Sequence, residues 1–241
     1  MQHMLHNAMK IVRKDFTSDK LQILWTLIFM IYMGFATSVV MNEQFEHLNE
    51  YVNPLVDFLL VLYAPLMGLT FNRRSFRYIN EDSYTQMLYY YRSLPVPAYA
   101  IFISRIINAI IAYVINGIVF FGVAYAIANH MREAVDIASY VAFIISWIGI
   151  GFLLTGFYIY WENMGSGKAY LGKTLILMIV TVVAAGTLSL LGYSMFKFVM
   201  DSAMRWKLLS PVMWGSLIIG LGGMLLMSRL TYIRQQTRDL S

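Results

Sequence analysis

Residues 21–41 read LQILWTLIFMIYMGFATSVVM, 21 consecutive positions without a charge. A bilayer core is crossed by about 20 helical residues, so this run is long enough to span one. Five more runs follow, Tyr51–Phe71, Ile106–Ala128, Ile137–Trp161, Thr174–Tyr193 and Pro211–Ser228, giving six stretches of 18 to 25 residues. Their apolar character is continuous rather than alternating, which predicts helices and not barrel strands. Asp57 is the one charge inside any of them. No segment between them is large enough for a soluble domain. The chain therefore reads as one all-α transmembrane domain over residues 1–241 with six spans.

Composition agrees: 59% of residues are hydrophobic and 13% charged, with a mean hydropathy of +0.61. A soluble domain carries about 25% charged residues. Cysteine is absent, which excludes disulfides and thiolate metal sites. The net charge of +5 and pI of 9.3 suggest a nucleic-acid partner until the charges are placed. With the N-terminus in the cytoplasm, the inner segments hold Lys10, Arg13, Lys14, Lys20, Arg73, Arg74, Arg77, Arg92, Arg105, Lys168, Lys173, Arg229, Arg234 and Arg238, 14 of the 18 basic residues. The outer segments hold Arg132, Lys197, Arg205 and Lys207, and the first outer connection carries Glu43, Glu46 and Glu50. Basic residues concentrate on the cytoplasmic side of membrane proteins, so both termini are expected inside. The basic pI reports topology, and no nucleic-acid partner is expected.

Between the spans, three segments have a character of their own. In residues 4–16, Leu5, Met9, Val12 and Phe16 recur at helical spacing opposite Lys10, Arg13, Lys14 and Thr17. This predicts a basic amphipathic helix in the inner interface before the first span. The inner stretch Asn72–Ala98 opens with Arg73, Arg74 and Arg77, followed by Glu81 and Asp82, acids suited to a helix start. Tyr84, Met87, Leu88 and Tyr91 then form one apolar-aromatic stripe, and Leu94-Pro95-Val96-Pro97 ends the helix. That stripe either rests on the lipid interface and the protein's own helix ends or docks into a groove on a cytoplasmic partner. On the outer side, Ser194–Ser210 is too apolar for a plain loop and too charged to span, predicting an interfacial or re-entrant helix with Trp206 at headgroup level.

Asp57 has two readings: a structural polar contact near Pro54, or a residue lining a transport route. Asn108 and Asn116 in the third span suit interhelical hydrogen bonds or substrate contact. Small residues mark candidate close helix contacts at Gly34 with Ser38, Ala185 with Ser189, and Ser216 with Gly220. Gly167-Lys168-Ala169-Tyr170-Leu171-Gly172-Lys173-Thr174 satisfies the spacing of a phosphate-binding loop. That motif works only between a strand and a helix of a nucleotide-binding sheet, and no sheet is expected here. The glycines are expected to let the chain turn, with Lys168 and Lys173 at the inner interface. No serine, metal or paired-carboxylate arrangement of an intramembrane hydrolase occurs, so no catalytic residue, metal or cofactor is assigned to the chain.

Glu81-Asp82, the helix through Tyr91, Arg92-Ser93-Leu94-Pro95-Val96 and Arg105 together resemble the first cytoplasmic loop of the membrane subunit (permease) of bacterial type-2 ATP-binding-cassette exporters. The motif-level resemblance covers about residues 81–105, and the span layout fits over the whole chain. Pro97-Ala98 stands where a serine and a basic residue are frequent in the family, and Ser83 where glycine is often found. The resemblance implies a separate cytoplasmic ATPase that binds ATP and grips a coupling helix through Glu81, Asp82, Tyr84, Met87, Leu88, Tyr91 and Arg92. It also implies a second permease subunit, identical or different, and a path to which Asp57, Asn108 and Asn116 are candidate contributors. The expected location is the bacterial cytoplasmic membrane. A stand-alone secondary transporter or channel using Asp57 is the alternative.

Overall fold

The apolar runs fold as helices, five of them long and apolar enough to cross a membrane. A computed structural model describes residues 2–18, 20–46, 53–71, 86 and 98–237. The helices are α1 (Gln2–Ser18), α2 (Lys20–Glu46), α3 (Asn53–Leu66), α4 (Ala98–Ile127), α5 (Asn129–Ala134), α6 (Ile137–Met164), α7 (Gly167–Leu190), α8 (Met195–Trp206) and α9 (Pro211–Thr237). A single 3-10 turn, Lys207–Leu209, joins α8 to α9. Helices α2, α4 and α7 run one way and α3, α6 and α9 the other, so the bundle has an end rich in Lys and Arg (the basic end) and a far end.

The expected second span, Tyr51–Phe71, is not one continuous helix. Its helical part, α3, has 14 residues, about 21 Å at 1.5 Å per residue, against a bilayer core of about 30 Å. Pro65 stands in its last turn and cannot donate to the helical ladder, and Gly68 follows three residues later. Met67–Phe71 continues as a turn and non-helical chain.

Helix α6 is the hub, packing most extensively on α9 and also on α3, α8, α7 and α4. The reason for the first pairing is glycine. A Cβ built on Gly149 would stand 2.5 Å from the Ser216 carbonyl carbon, one on Gly156 would stand 2.9 Å from Cα of Met224, and one on Gly220 would run into the Gly149 carbonyl. The two backbones touch over two turns. In lipid, where burying apolar surface gives helices little reason to associate, such small-residue approach supplies the dispersion contacts that hold them. Gly34 plays the same part between α2 and α4, facing the Phe120 carbonyl. An aromatic core fills the far half of the bundle: Phe121, Tyr140, Phe143 and Phe196 stack edge to face at centroid distances of 5.6–6.4 Å.

Helix α1 is the amphipathic element expected, but its buried side is Ala8 and Val12, packed towards α4, while Met9 is 49% exposed. Alanine allows the close backbone approach that a line through Met9 would not. Lys10, Arg13 and Lys14 face outward. The Ser194–Ser210 element is also helical: α8 buries Phe196, Val199, Met200 and Ala203 and leaves Phe198 and Trp206 exposed. The phosphate-loop spacing is not a loop. Gly167–Thr174 forms the first two turns of α7, capped by Ser166, so the turn lies at Gly165-Ser166 instead of at the motif's glycines.

Candidate functional site

The stretch predicted to couple to a partner, with Glu81, Asp82, Tyr84, Met87, Leu88, Tyr91 and Arg92, lies outside the described residues. What is described is the way the chain enters and leaves it. Coming from the far end, α3 stops at Leu66, and the five residues before position 72 run through the bundle without a helical ladder. Backbone polar groups at that depth must find partners inside the protein.

The N–H groups of Met67, Gly68 and Leu69 turn back to the carbonyls of Tyr63, Pro65 and Leu66, while side chains of three other helices serve carbonyls of the break and the Phe71 N–H. Asn116 of α4 donates its amide to the carbonyls of Met67 (2.9 Å) and Leu69 (3.0 Å). Thr155 of α6 contacts the Pro65 carbonyl at 3.4 Å, and its hydroxyl shares a 2.7 Å hydrogen bond with that of Tyr113. The N–H of Phe71 donates to the Thr26 hydroxyl of α2 at 2.9 Å. Gly68 and Gly151 make room for this: a Cβ on Gly68 would meet the Tyr113 ring, and one on Gly151 would stand 2.7 Å from the Ala64 carbonyl. Asn116, Tyr113, Thr155 and Thr26 are all buried. The result is a polar seam in which α2, α4 and α6 hold an interrupted helix.

Replacing Asn116 by leucine removes the donor for two buried carbonyls while keeping the volume. The expected loss is about 2–3 kcal/mol, from unpaired carbonyls at roughly 1 kcal/mol or more each. It is measured as a fall in thermal midpoint of the detergent-solubilised protein; an unchanged midpoint means that the break does not depend on Asn116.

Asp57 lies elsewhere, ten residues and about 15 Å up α3 from Met67. Its carboxylate is buried and fully engaged by the start of α8: Oδ1 accepts from the Phe196 N–H (2.6 Å) and the Ser194 hydroxyl (3.1 Å), and Oδ2 from the Met195 N–H (2.8 Å). A carboxylate there satisfies donors that the helix cannot and meets the positive end of its dipole. The structural partner is thus α8, more than 130 residues away in sequence, and not the neighbourhood of Pro54. Asn108 stands on α4 eight residues before Asn116, towards the basic end. The three candidate path residues therefore do not converge on one site.

Ion pairs fasten both ends of the bundle. At the basic end Arg105 of α4 meets Glu162 of α6 at 2.8 Å, and Arg234 of α9 donates to the Tyr160 hydroxyl. At the far end Lys207, turned through a positive φ of 50°, pairs with Asp136 at 3.2 Å. The Ser139 hydroxyl, and then Lys207, hold the Asp136 carboxyl below the usual carboxylate range. Among the described residues no group of three or more His, Asp or Glu side chains is placed to bind a metal ion.

Tyr113, Thr155 and Thr26 were not singled out in the sequence. Pro65 and Gly68, a helix breaker and a flexible residue three apart inside an apolar run, were the available signal. No protein-family model, curated protein or solved structure matches the chain.

Proposed function

We propose that the chain is the membrane-spanning permease subunit of an ATP-binding-cassette exporter, driven by a separate cytoplasmic ATPase. The observation that carries this reading is the Glu81–Arg105 stretch, with its acidic start, apolar-aromatic stripe, Leu94-Pro95-Val96 stop and Arg105. Its place in the fold supports the reading. The stretch is strung between the interrupted end of α3 and the start of α4, and Asn116 ties those two helices together at the break. A push on the loop loads the polar seam directly. In this reading ATP is bound by the partner subunit, and Gly167–Thr174 is simply the start of α7.

In this reading the termini and the 72–97 stretch are cytoplasmic, the membrane is the bacterial cytoplasmic membrane, and a second permease subunit completes the path. The stand-alone carrier or channel using Asp57 has less behind it, because that carboxylate already accepts three hydrogen bonds within the protein.

Leu88→Asp and Tyr91→Asp put a charge into the stripe. If the stripe docks in an apolar groove, each change weakens ATPase association by about 100-fold or more, equivalent to roughly 3 kcal/mol. Co-purification of the ATPase is expected to fail and transport to stop, while the permease still inserts. Retention of both association and transport by the two variants would end the coupling assignment.

A further inference from the structure

The break in α3 separates one hydrogen-bonding pair. Met67 and Phe71 are four residues apart, so in a continuous helix the Phe71 N–H would donate to the Met67 carbonyl. Here that carbonyl accepts from Asn116 of α4, and that N–H donates to Thr26 of α2. Two side chains from two helices thus stand in for a single helical bond, each holding one half of it. Nothing in the backbone of the segment forbids the missing turn. Positions 67–71 contain no proline and no positive φ, and Pro65 forgoes its own helical bond in either form. The N–H of Thr70 makes no hydrogen bond among the described residues. A continued helix would give it the Leu66 carbonyl.

The two forms balance closely. In the broken form the segment has five bonds: Gly68 N–H to Pro65, Leu69 N–H to Leu66, two from Asn116 and one to Thr26. A wound form would have four between positions 64 and 71, all backbone, with no N–H left idle. It would also match the bilayer. Continued to Phe71, α3 would hold 19 residues and reach about 28 Å, against a core of about 30 Å. Residues 69–71, now non-helical, would shorten from about 3.3 to about 1.5 Å each, drawing position 72 inward by roughly 5 Å.

We infer that residues 67–71 are a two-state switch: the broken form, latched by Asn116 and Thr26, exchanges with a wound form in which α3 continues to Phe71. The latch makes the broken form the major one, and a few bonds decide the balance. Winding takes the Phe71 ring off Phe29, now 5.3 Å away, and moves the point where the 72–97 stretch begins. The inference rests on the bonds of the break and not on the permease reading, to which it would add a defined movement of the coupling stretch.

The full-length chain has no cysteine of its own, so two introduced cysteines carry spin labels at known places. Leu55→Cys, exposed on α3, and Asn72→Cys, beyond the break, are labelled, and pulsed electron paramagnetic resonance in lipid nanodiscs reads their separation. The native chain is expected to give mainly the longer distance. Asn116→Leu takes two bonds from the broken form alone and Thr26→Val takes one, each bond shifting the balance about fivefold. The double variant is expected to move most of the population to a distance about 5 Å shorter. Adding Thr70→Pro removes no bond of the broken form and forbids the wound one, so the long distance is expected to return. Should the double variant not fold, Gly68→Ala keeps both latch residues and is expected to shorten the distance too. Its Cβ would meet the Tyr113 ring in the broken form, and alanine favours the helix. An unmoved distance in the folded double variant, or in Gly68→Ala where that variant is used, overturns the switch. So does a shortening that Thr70→Pro leaves in place. The measurement needs neither ATPase nor transport, so failure of the permease reading would leave its outcome unchanged.

Discussion

Gly220→Leu is expected to yield no folded protein that survives extraction, while Gly222→Leu, two residues along the same helix, is expected to behave like the native chain. The two glycines differ in what a side chain would meet. At Gly220 a Cβ runs into the carbonyl of Gly149 on α6; at Gly222 nothing lies within 4 Å. The collision is backbone against backbone, so no rotamer change relieves it, and the helices must separate. Overpacking of ordinary cores costs about 1–3 kcal/mol, and a rigid clash at the most extensive helix pair of the fold belongs above that range. Even Gly220→Ala is expected to lower the thermal midpoint. Gly222→Ala is expected to raise it slightly, since alanine is the better helix former by up to about 1 kcal/mol. Thermal midpoints and the monodisperse fraction in detergent read the comparison. Equal behaviour at 220 and 222 would show that α6 and α9 are not as close as described.

Asp57→Ala is the second large effect expected, and it reaches α8 on the far side of the sequence. The alanine leaves the N–H groups of Met195 and Phe196 and the Ser194 hydroxyl without their common acceptor. Hydrogen bonds to a charged group contribute about 1.5–3 kcal/mol each, offset in part because a charge no longer has to be buried. A net loosening of α8 by about 2–3 kcal/mol follows. Phe196, held between Phe45 and Phe143 at 6.2 and 5.6 Å, is the residue most exposed to it. In the cysteine-free background, Val199→Cys on the buried face of α8 reports the loosening. Its labelling by a membrane-impermeant thiol reagent is expected to rise by about 30- to 100-fold in Asp57→Ala. Asp57→Asn, which retains an acceptor, is expected to show a smaller rise. If Asp57→Asn instead stops transport while Val199→Cys stays protected, Asp57 serves the transport route and not the anchor.

The hydropathy pattern carried most of the architecture. Five of the six apolar runs are helices long enough to span, and Ser194–Ser210 is helical as expected, with an apolar buried side. The bounds moved in understandable ways. α4 begins at Ala98, just after Pro97, and not at Ile106, because polar Ser104 and Arg105 find partners there and need not end the helix. α7 begins at Gly167 because Ser166 caps it, although the phosphate-loop spacing drew attention to turns further on. The second run is helical over only 14 residues because average hydropathy does not see Pro65. Of the small-residue pairs, Ser216 with Gly220 faces the closest helix crossing, yet its partner Gly149 carried no mark of its own among ordinary apolar neighbours.

What the sequence by itself determined is therefore local and additive. Whether a run is apolar enough for hydrocarbon, where its positive charges gather and where a helix can start depend on the residues themselves and their near neighbours. The tertiary structure alone decided which groups complete one another. Asp57 with the start of α8, Asn116 with the carbonyls of Met67 and Leu69, and Gly149 with Gly220 are separated by 47 to 139 residues. A buried polar group or a glycine has no preferred partner until the helices are packed. The low-dielectric interior then makes that partner obligatory.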